Sequence, residues 1–458
     1  MKITQQLAEF SASTSLATLP ADVLVRARYL ILDLVGNIVR ARHGSDSTPS
    51  LLSAVKALGM VPGVARVFAD AGGYSPAGAA FVNGTLAHSL DFDDTHAAGT
   101  LHPGAPVIPA ALAAGEMAKA SGADVVAGIV AGYEMTCRLA LSLPAGDHYQ
   151  RGYHPTATCG VFGAAAAAGR VFGLDAAGIA SALGIALSQS AGSLQFLANG
   201  AWTKRFQVGW SAMSGLAAAT LAREGFKGAA EALEGKHGFL SAYAPHPNPA
   251  RAVQDLGRVF ELMATAVKPY PSCRYGHAGI DAVLALRSEH NLKPEEIESV
   301  TYGLCTAGML LIGAPADKKA DPRNTVDAQF SAPLVLSVAL ATGKMVWDSY
   351  ALLKDPIVRG LLAKVKCEHD PEIEAEFPAN MSGKIAIKAR GKAFVMKVIV
   401  PKGEPEKFLT EAELKGKFLG LAEPALGAAN AEALAHDVLR IDSFADINQL
   451  MRQAKQQQ

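Results

Sequence analysis

Charge is the first thing this chain is short of. Of 458 residues only 18% are Asp, Glu, Lys or Arg, against about 25% in an average globular protein. An unusual share of the chain must therefore be buried in itself or in a partner. The 42 basic and 42 acidic side chains cancel, which leaves no long-range field for a nucleic-acid backbone or an anionic membrane surface. Any anion has to be gripped locally. Cysteine is scarce and scattered: Cys137, Cys159, Cys273, Cys305 and Cys367 never fall in a C-x-x-C spacing, which argues against a disulfide framework or a structural zinc and fits a reducing compartment. No G-x-G-x-x-G follows a strand pattern, and neither G-x-x-x-x-G-K-[ST] nor G-x-S-x-G occurs, which removes the usual nicotinamide, nucleotide and hydrolase-elbow readings. The N-terminus lacks both an apolar signal core and an Arg-rich transit bias, so a cytoplasmic location is expected.

A hydrophobic fraction of 50% excludes global disorder. Residues 176–203 carry no charge at all, a run longer than the roughly 20 residues that span a bilayer. Ser181, Ser188, Gln189, Ser190, Ser193, Gln195 and Asn199 lie inside it and would all need partners in lipid. The run reads as a buried central helix, and no membrane partner is expected.

Apolar residues recur at three and four over residues 20–42, through Val23, Ala27, Leu30, Ile31, Leu34, Val35 and Ile38, the spacing of an amphipathic helix. Ser75-Pro76 opens another, as a cap followed by proline at the first helical position. Further helices are expected over 107–120 and 123–141, and the Gly/Ala-rich stretch 159–191 suits close helix packing. From about residue 268 the texture alternates instead: Val300, Tyr302 and Leu304, then Ile385, Ile387, Phe394, Met396 and Val398 around Arg390-Gly391, read as strands with a hairpin. Helical segments at 277–290 and 327–342 lie between them, and the chain turns helical again from 410. The fold class is mainly α: a large all-helical domain from residues 1–266 and 405–458, with an inserted smaller α+β lid domain at 267–404.

Chemistry concentrates in four clusters. His88, Asp91, Asp93, Asp94, Thr95, His96 and His102 form the densest; if the helix from Ser75 persists, His88, Asp91 and Thr95 share one face. A solvated helix end explains the same residues, as would a metal site on His88, Asp91, Asp94 and His96, although the spacing matches no familiar motif. Tyr153 and His154 sit on a polar turn before the small-residue stretch. Lys204 closes the uncharged run, where it either reaches water or binds a carboxylate. Lys268, Cys273, Arg274 and His277 fall within ten residues at the expected domain join, where clefts favour binding. Cations beside imidazoles suit a di- or tricarboxylate from which a proton is moved next to a carboxylate.

The ordered set Asn83-Gly84, His88, Asp91 to His96, His102-Pro103, Gly152-Tyr153-His154-Pro155, Phe172-Gly173-Leu174-Asp175, Thr203-Lys204, Leu233-Glu234-Gly235, Gly238-Phe239 and Lys268 to Cys273 resembles the MmgE/PrpD family over nearly the whole chain. The resemblance implies a cofactor-free homodimer acting on a small polycarboxylate, as 2-methylcitrate dehydratase, cis-aconitate decarboxylase or iminodisuccinate epimerase. The expectation put first is a 2-methylcitrate dehydratase-like hydro-lyase, with the epimerase and the decarboxylase as alternatives. By position it implies His102 as the proton-transferring residue with Asp91 orienting it, His154 as second acid or base, and Lys204 and Lys268 on substrate carboxylates. Thr95 belongs to the same pattern, and Tyr153, Cys273, Arg274 and His277 are added as substrate contacts, with no metal. The chain departs from the pattern at Cys273, where decarboxylase-like members carry histidine, and through 272–277, where dehydratases tend to have an acidic, Gln-containing segment. A metal-dependent hydrolase and a non-catalytic assembly protein remain the readings from other classes.

Overall fold

The computed structural model describes residues 2–453. The chain divides into two compact units: the N-terminal stretch to Ala266 together with the chain from Glu411 on, and Val267–Thr410. Within the second unit the Gly403 carbonyl accepts from Val267 N at 2.9 Å and its N–H donates to Lys407 O at 3.0 Å, which ties the unit's first residue to its last stretch.

The first unit is helical. Helix α1 (Ala21–Gly44) buries the stripe from Val23 to Ile38, and α2 (Pro76–Ala87) is capped by the Ser75 hydroxyl, which accepts from Gly78 N at 3.1 Å. There follow α3 (Gly104–Ala118), α4 (Gly122–Leu141), α5 (Pro155–Val171), α6 (Ala176–Ala186) and α7 (Thr203–Arg223). Helix α5 is the buried centre, packed on α3, α4 and α7. Its small residues allow this: a Cβ on Gly163 would stand 1.8 Å from Thr136 Oγ1, and one on Gly209 of α7 would stand 2.1 Å from Thr85 Oγ1 of α2. The second approach brings the end of α2 beside the start of α7.

Two expectations fail. Helix α2 stops at Ala87, so His88, Asp91 and Thr95 do not share a helix face; Asp91 adopts φ 52°, a left-handed turn that Asp tolerates. The uncharged run is not one buried helix either. After α6 come only short 3₁₀ turns, Leu187–Gln189 and Leu194–Ala198, and Leu197 is 66% exposed. Its polar residues hold the backbone in turns instead: Ser190 Oγ donates to Thr158 O at 2.9 Å, and Ser193 Oγ accepts from Gln195 N at 3.1 Å, the local competition that ends helices. Among the described residues no helix is long and apolar enough to cross a membrane.

Two short strands, β1 (Thr95–His96) and β2 (Thr265–Ala266), pair antiparallel with Thr95 opposite Ala266. Behind β2, Arg138 donates to Gln254 O at 2.7 Å and Val259 O at 2.6 Å, and Glu134 accepts from Arg138 and from Leu262 N. His96 meets Glu261 at 3.3 Å. This buried network pins the segment on which β1, and so Thr95, is registered.

The second unit carries a four-stranded sheet of β3 (Ile297–Leu304), β4 (Val365–His369), β5 (Gly383–Ala389) and β6 (Lys392–Val398), in the order β4-β3-β5-β6. Only β3 and β4 run parallel. Arg390 and Gly391, both at positive φ, make the two-residue hairpin turn expected of such a pair. Helices α8 (His277–Glu289) and α9 (Ala332–Thr342) contribute to its core with Ile280, Val283, Leu336, Tyr302, Ile385 and Ile387.

The chain then returns to the first unit as α10 (Glu411–Leu426) and α11 (Ala428–Leu439). Helix α10 packs on α1 and sends Lys417 inward, with Nζ 2.5 Å from Asp33 Oδ1, 2.9 Å from Phe92 O and 3.7 Å from the centre of the Phe92 ring. Asn37 Nδ2 donates to the same carbonyl at 3.3 Å. The loop from His88 to Asp94 is therefore held from below by the returning helix.

Candidate active site

Three histidines of the first unit meet where α2 ends and α5 begins. The rings of His88 and His102 lie 4.8 Å apart edge to face, and those of His88 and His154 lie 5.9 Å apart. His102 follows β1 by a tight turn in which His96 and Leu101 pair, and its backbone N–H donates to Thr156 Oγ1 of α5 at 3.2 Å. Its Nδ1 lies 2.6 Å from Asp94 O and 3.4 Å from Thr95 Oγ1. A carbonyl oxygen only accepts, so Nδ1 carries the hydrogen and Nε2 carries the basic lone pair.

His154 is oriented the same way by a side chain. Gln207 Nε2 donates to Ser193 O at 2.8 Å, which turns its Oε1 toward His154 Nδ1 at 3.0 Å. Again Nδ1 donates. Burial holds His154 well below the ordinary imidazole value, and the neighbouring His88, Lys204 and His102 push the same way. The Phe196 ring closes one side at 5.5 Å.

Lys204, in the first turn of α7, donates to Asp91 Oδ1 at 2.8 Å. Burial lowers its pKa, but the Asp91 carboxylate more than offsets this, and the ammonium is favoured. About a third of the Lys204 side chain reaches solvent. Lys204 and Gln207 stand at i and i+3, so one turn of α7 supplies both the cation and the His154 partner.

Beneath these groups lie His88, Asp93 and Asp94, which the sequence reading placed in its densest cluster, His88 and Asp94 also in the alternative metal site, without a catalytic or substrate-binding role. His88 Nδ1 is 2.7 Å from Asp93 Oδ2, with both side chains fully buried. Asp94 accepts from Tyr133 Oη at 2.7 Å and Gly104 N at 3.2 Å; burial, reinforced by the Asp93 charge, pushes its carboxyl up to about 8. Asp93 and Asp94 stood inside the cluster that drew attention, and Gln207 three residues beyond Lys204 was open to the same helical spacing. Among the described residues, His88, Asp93 and His102 bring ligand-type atoms within 4.8 Å of one another. The Nδ1 atoms of His88 and His102 face Asp93 Oδ2 and Asp94 O, which leaves the Nε2 atoms as the ones with a lone pair to offer.

The expected residues are thus distributed as follows. His102, His154, Lys204, Asp91 and Thr95 belong to this region. Asp91, expected to orient His102, pairs with Lys204 instead, and the Asp94 carbonyl does the orienting. Tyr153 packs in an aromatic group with His148 and Tyr243, at 5.0 Å from each. In the second unit, Arg274 makes a two-toothed pair with Glu404, and His277 Nε2 lies 3.2 Å from Ser272 O. Cys273 is buried, with its N–H donating to Gln329 O at 3.0 Å, and the Lys268 side chain is also buried.

Residues 5–252 match the model of the MmgE/PrpD N-terminal domain and residues 270–441 that of the MmgE/PrpD C-terminal domain. A cis-aconitate decarboxylase of Aspergillus terreus is 26% identical over 98% of this chain and 95% of its own length. The cis-aconitate decarboxylase-like protein oryM of Aspergillus oryzae is 26% identical over 98% and 96%. The cis-aconitate decarboxylase of Mus musculus is 29% identical over 83% and 78%. The chain belongs to the MmgE/PrpD family and is an enzyme of the lyase or isomerase class.

Proposed function

We propose that this enzyme is a decarboxylase of cis-aconitate or a closely similar unsaturated tricarboxylate, rather than the 2-methylcitrate dehydratase placed first by the sequence reading. Two things support this. The relatives described above carry the decarboxylase name, and three imidazoles converge with Lys204 among the charges that act on them. The observation that carries the chemistry is the geometry of His102, whose Nδ1–H is fixed on Asp94 O at 2.6 Å.

In the reaction, the bond from carbon to the departing carboxylate breaks. Its electron pair forms a new alkene with the neighbouring carbon, and the old alkene pair takes up a proton. One tricarboxylate and one proton thus give one dicarboxylate and one CO₂. Arrival of a trianion favours the imidazolium at His102, and His102 Nε2 then delivers the proton. Lys204 holds a substrate carboxylate as a charge-assisted donor. His154, kept neutral in the absence of substrate, is the second acid or base. Thr95, beside His102, offers a hydroxyl to the substrate.

The test is incubation of the full chain with cis-aconitate, 2-methylcitrate, citrate and iminodisuccinate, reading CO₂ and products by mass spectrometry. CO₂ from cis-aconitate alone supports the proposal. Water loss from 2-methylcitrate with no CO₂ from cis-aconitate overturns it in favour of the hydro-lyase.

A further inference from the structure

The imidazole cluster contains one member with no assigned task. The His88 side chain is fully buried, its Nδ1 is 2.7 Å from Asp93 Oδ2, and its Nε2 is buried without a hydrogen-bond partner among the described residues. A polar ring buried with one nitrogen unpaired costs more than an apolar side chain of similar size. Its retention needs a reason, and the reason lies on the far side of Asp93. The same oxygen, Oδ2, stands 3.8 Å from His102 Nδ1.

We propose that His88 is a positioning residue for His102: by donating Nδ1–H to Asp93 Oδ2 it occupies the oxygen nearest His102, so that the His102 Nδ1–H stays on the Asp94 carbonyl and Nε2 stays aimed as the proton-transfer atom. The inference rests on the proton-transfer reading of His102. Were His88 unable to donate, Oδ2 would lose that hydrogen bond and accept more readily from His102 Nδ1–H, 3.8 Å away. The ring would be drawn toward Asp93, and a carboxylate in direct contact would hold His102 as imidazolium. The arrangement needs only a hydrogen on His88 Nδ1, and burial lowers the His88 pKa despite Asp93. The groups around the three-imidazole cluster are His88 at the end of α2, Asp91, Asp93 and Asp94 on the loop, Thr95 on β1, His154 and Thr156 at the start of α5, and Lys204 on α7. Asp93 Oδ2 lies within 4 Å of the His102 ring nitrogen, and His88 Nδ1 meets that same oxygen at 2.7 Å.

The experiment needs no substrate, so its outcome is independent of whether the decarboxylase reading stands. The full chain is labelled with ¹⁵N in its 12 histidines, the His102 signals are assigned by their loss in His102→Gln, and tautomer and pKa are followed by NMR. The wild type should show the Nδ1–H tautomer. His88→Leu should raise the His102 pKa by about one unit, the low end of the effect of a carboxylate brought into contact. Asp93→Asn should lower it. His88→Asn, whose amide nitrogen can stand near the former Nδ1, should restore a value close to wild type. If the His102 pKa is the same in wild type, His88→Leu and Asp93→Asn, the proposal is wrong and His88 only fills space. Should His88→Leu not fold, Asp93→Asn and His88→Asn decide alone: a lowered value in the first with a wild-type value in the second supports the proposal, and an unchanged value in the first overturns it.

Discussion

The two units handle their polar side chains in opposite ways. In the first, His102 and His154 each have Nδ1 anchored, by the Asp94 carbonyl and by Gln207, which leaves Nε2 as the basic atom of each ring. Lys204 is held by Asp91 yet still reaches solvent. In the second, Arg274 is closed on Glu404 from two sides. Anchoring one end of a side chain prepares it for chemistry, whereas pairing its whole charged end commits it to structure. The comparison teaches that a cation's value to a site lies in what remains available after its internal partner is counted.

The strongest way to break this comparison is to remove an anchored base. His102→Ala should lower kcat/KM for cis-aconitate about 1,000-fold, within the range for a general acid or base, with thermal unfolding little changed. Activity within tenfold of wild type would take His102 out of the mechanism. Next comes the support beneath the loop. Lys417→Met leaves Asp33 buried without its ammonium, which should cost about 3 kcal/mol in chemical denaturation. It should also loosen the Phe92 carbonyl, on which the site loop rests; a loss under 1 kcal/mol would show that α10 does not support it.

Lys204 and Arg274 then sharpen the contrast directly. Lys204→Met should raise KM about 10- to 100-fold, the worth of a charged hydrogen bond of about 1.5–3 kcal/mol. Arg274→Met should change KM less than threefold by the same scale. Equal effects would erase the distinction between the units. The smallest effect concerns acid. His88, His148 and His154 all lie below the ordinary 6.5, first through burial, so the unfolded chain takes up their protons before the folded one does. Their stabilising contribution is present above pH 6.5 and is lost as pH falls below it. His154→Gln should remove one group's share of that slope, about 1.4 kcal/mol per pH unit, and an unchanged slope would mean that His154 charges in the folded state.

Much of this is legible in the sequence. The stripe from Val23 to Ile38, the Ser75-Pro76 cap and the strand alternation around Arg390-Gly391 are local patterns, and local patterns translate directly into elements. His102, His154 and Lys204 could be named because their neighbours were unusual. What could not be read were pairings across distance. Asp91 and Lys204 are 113 residues apart, Gln207 and His154 are 53 apart, and Arg274 and Glu404 are 130 apart, and no spacing rule connects them. The uncharged run misled for a different reason. Its lack of charge suggested burial, but its serines and glutamines serve turns, and charge alone does not tell a buried helix from a polar loop.

The central claim is that His102 delivers a solvent-derived proton to the carbon skeleton as CO₂ leaves. It is tested most directly by NMR of wild type and His102→Ala with ¹³C-labelled cis-aconitate in heavy water. The account predicts that the wild type releases CO₂ and forms a dicarboxylate carrying one deuteron at the former alkene carbon, and that His102→Ala does neither at a comparable rate. Deuterated dicarboxylate formed as fast by His102→Ala as by wild type would contradict it.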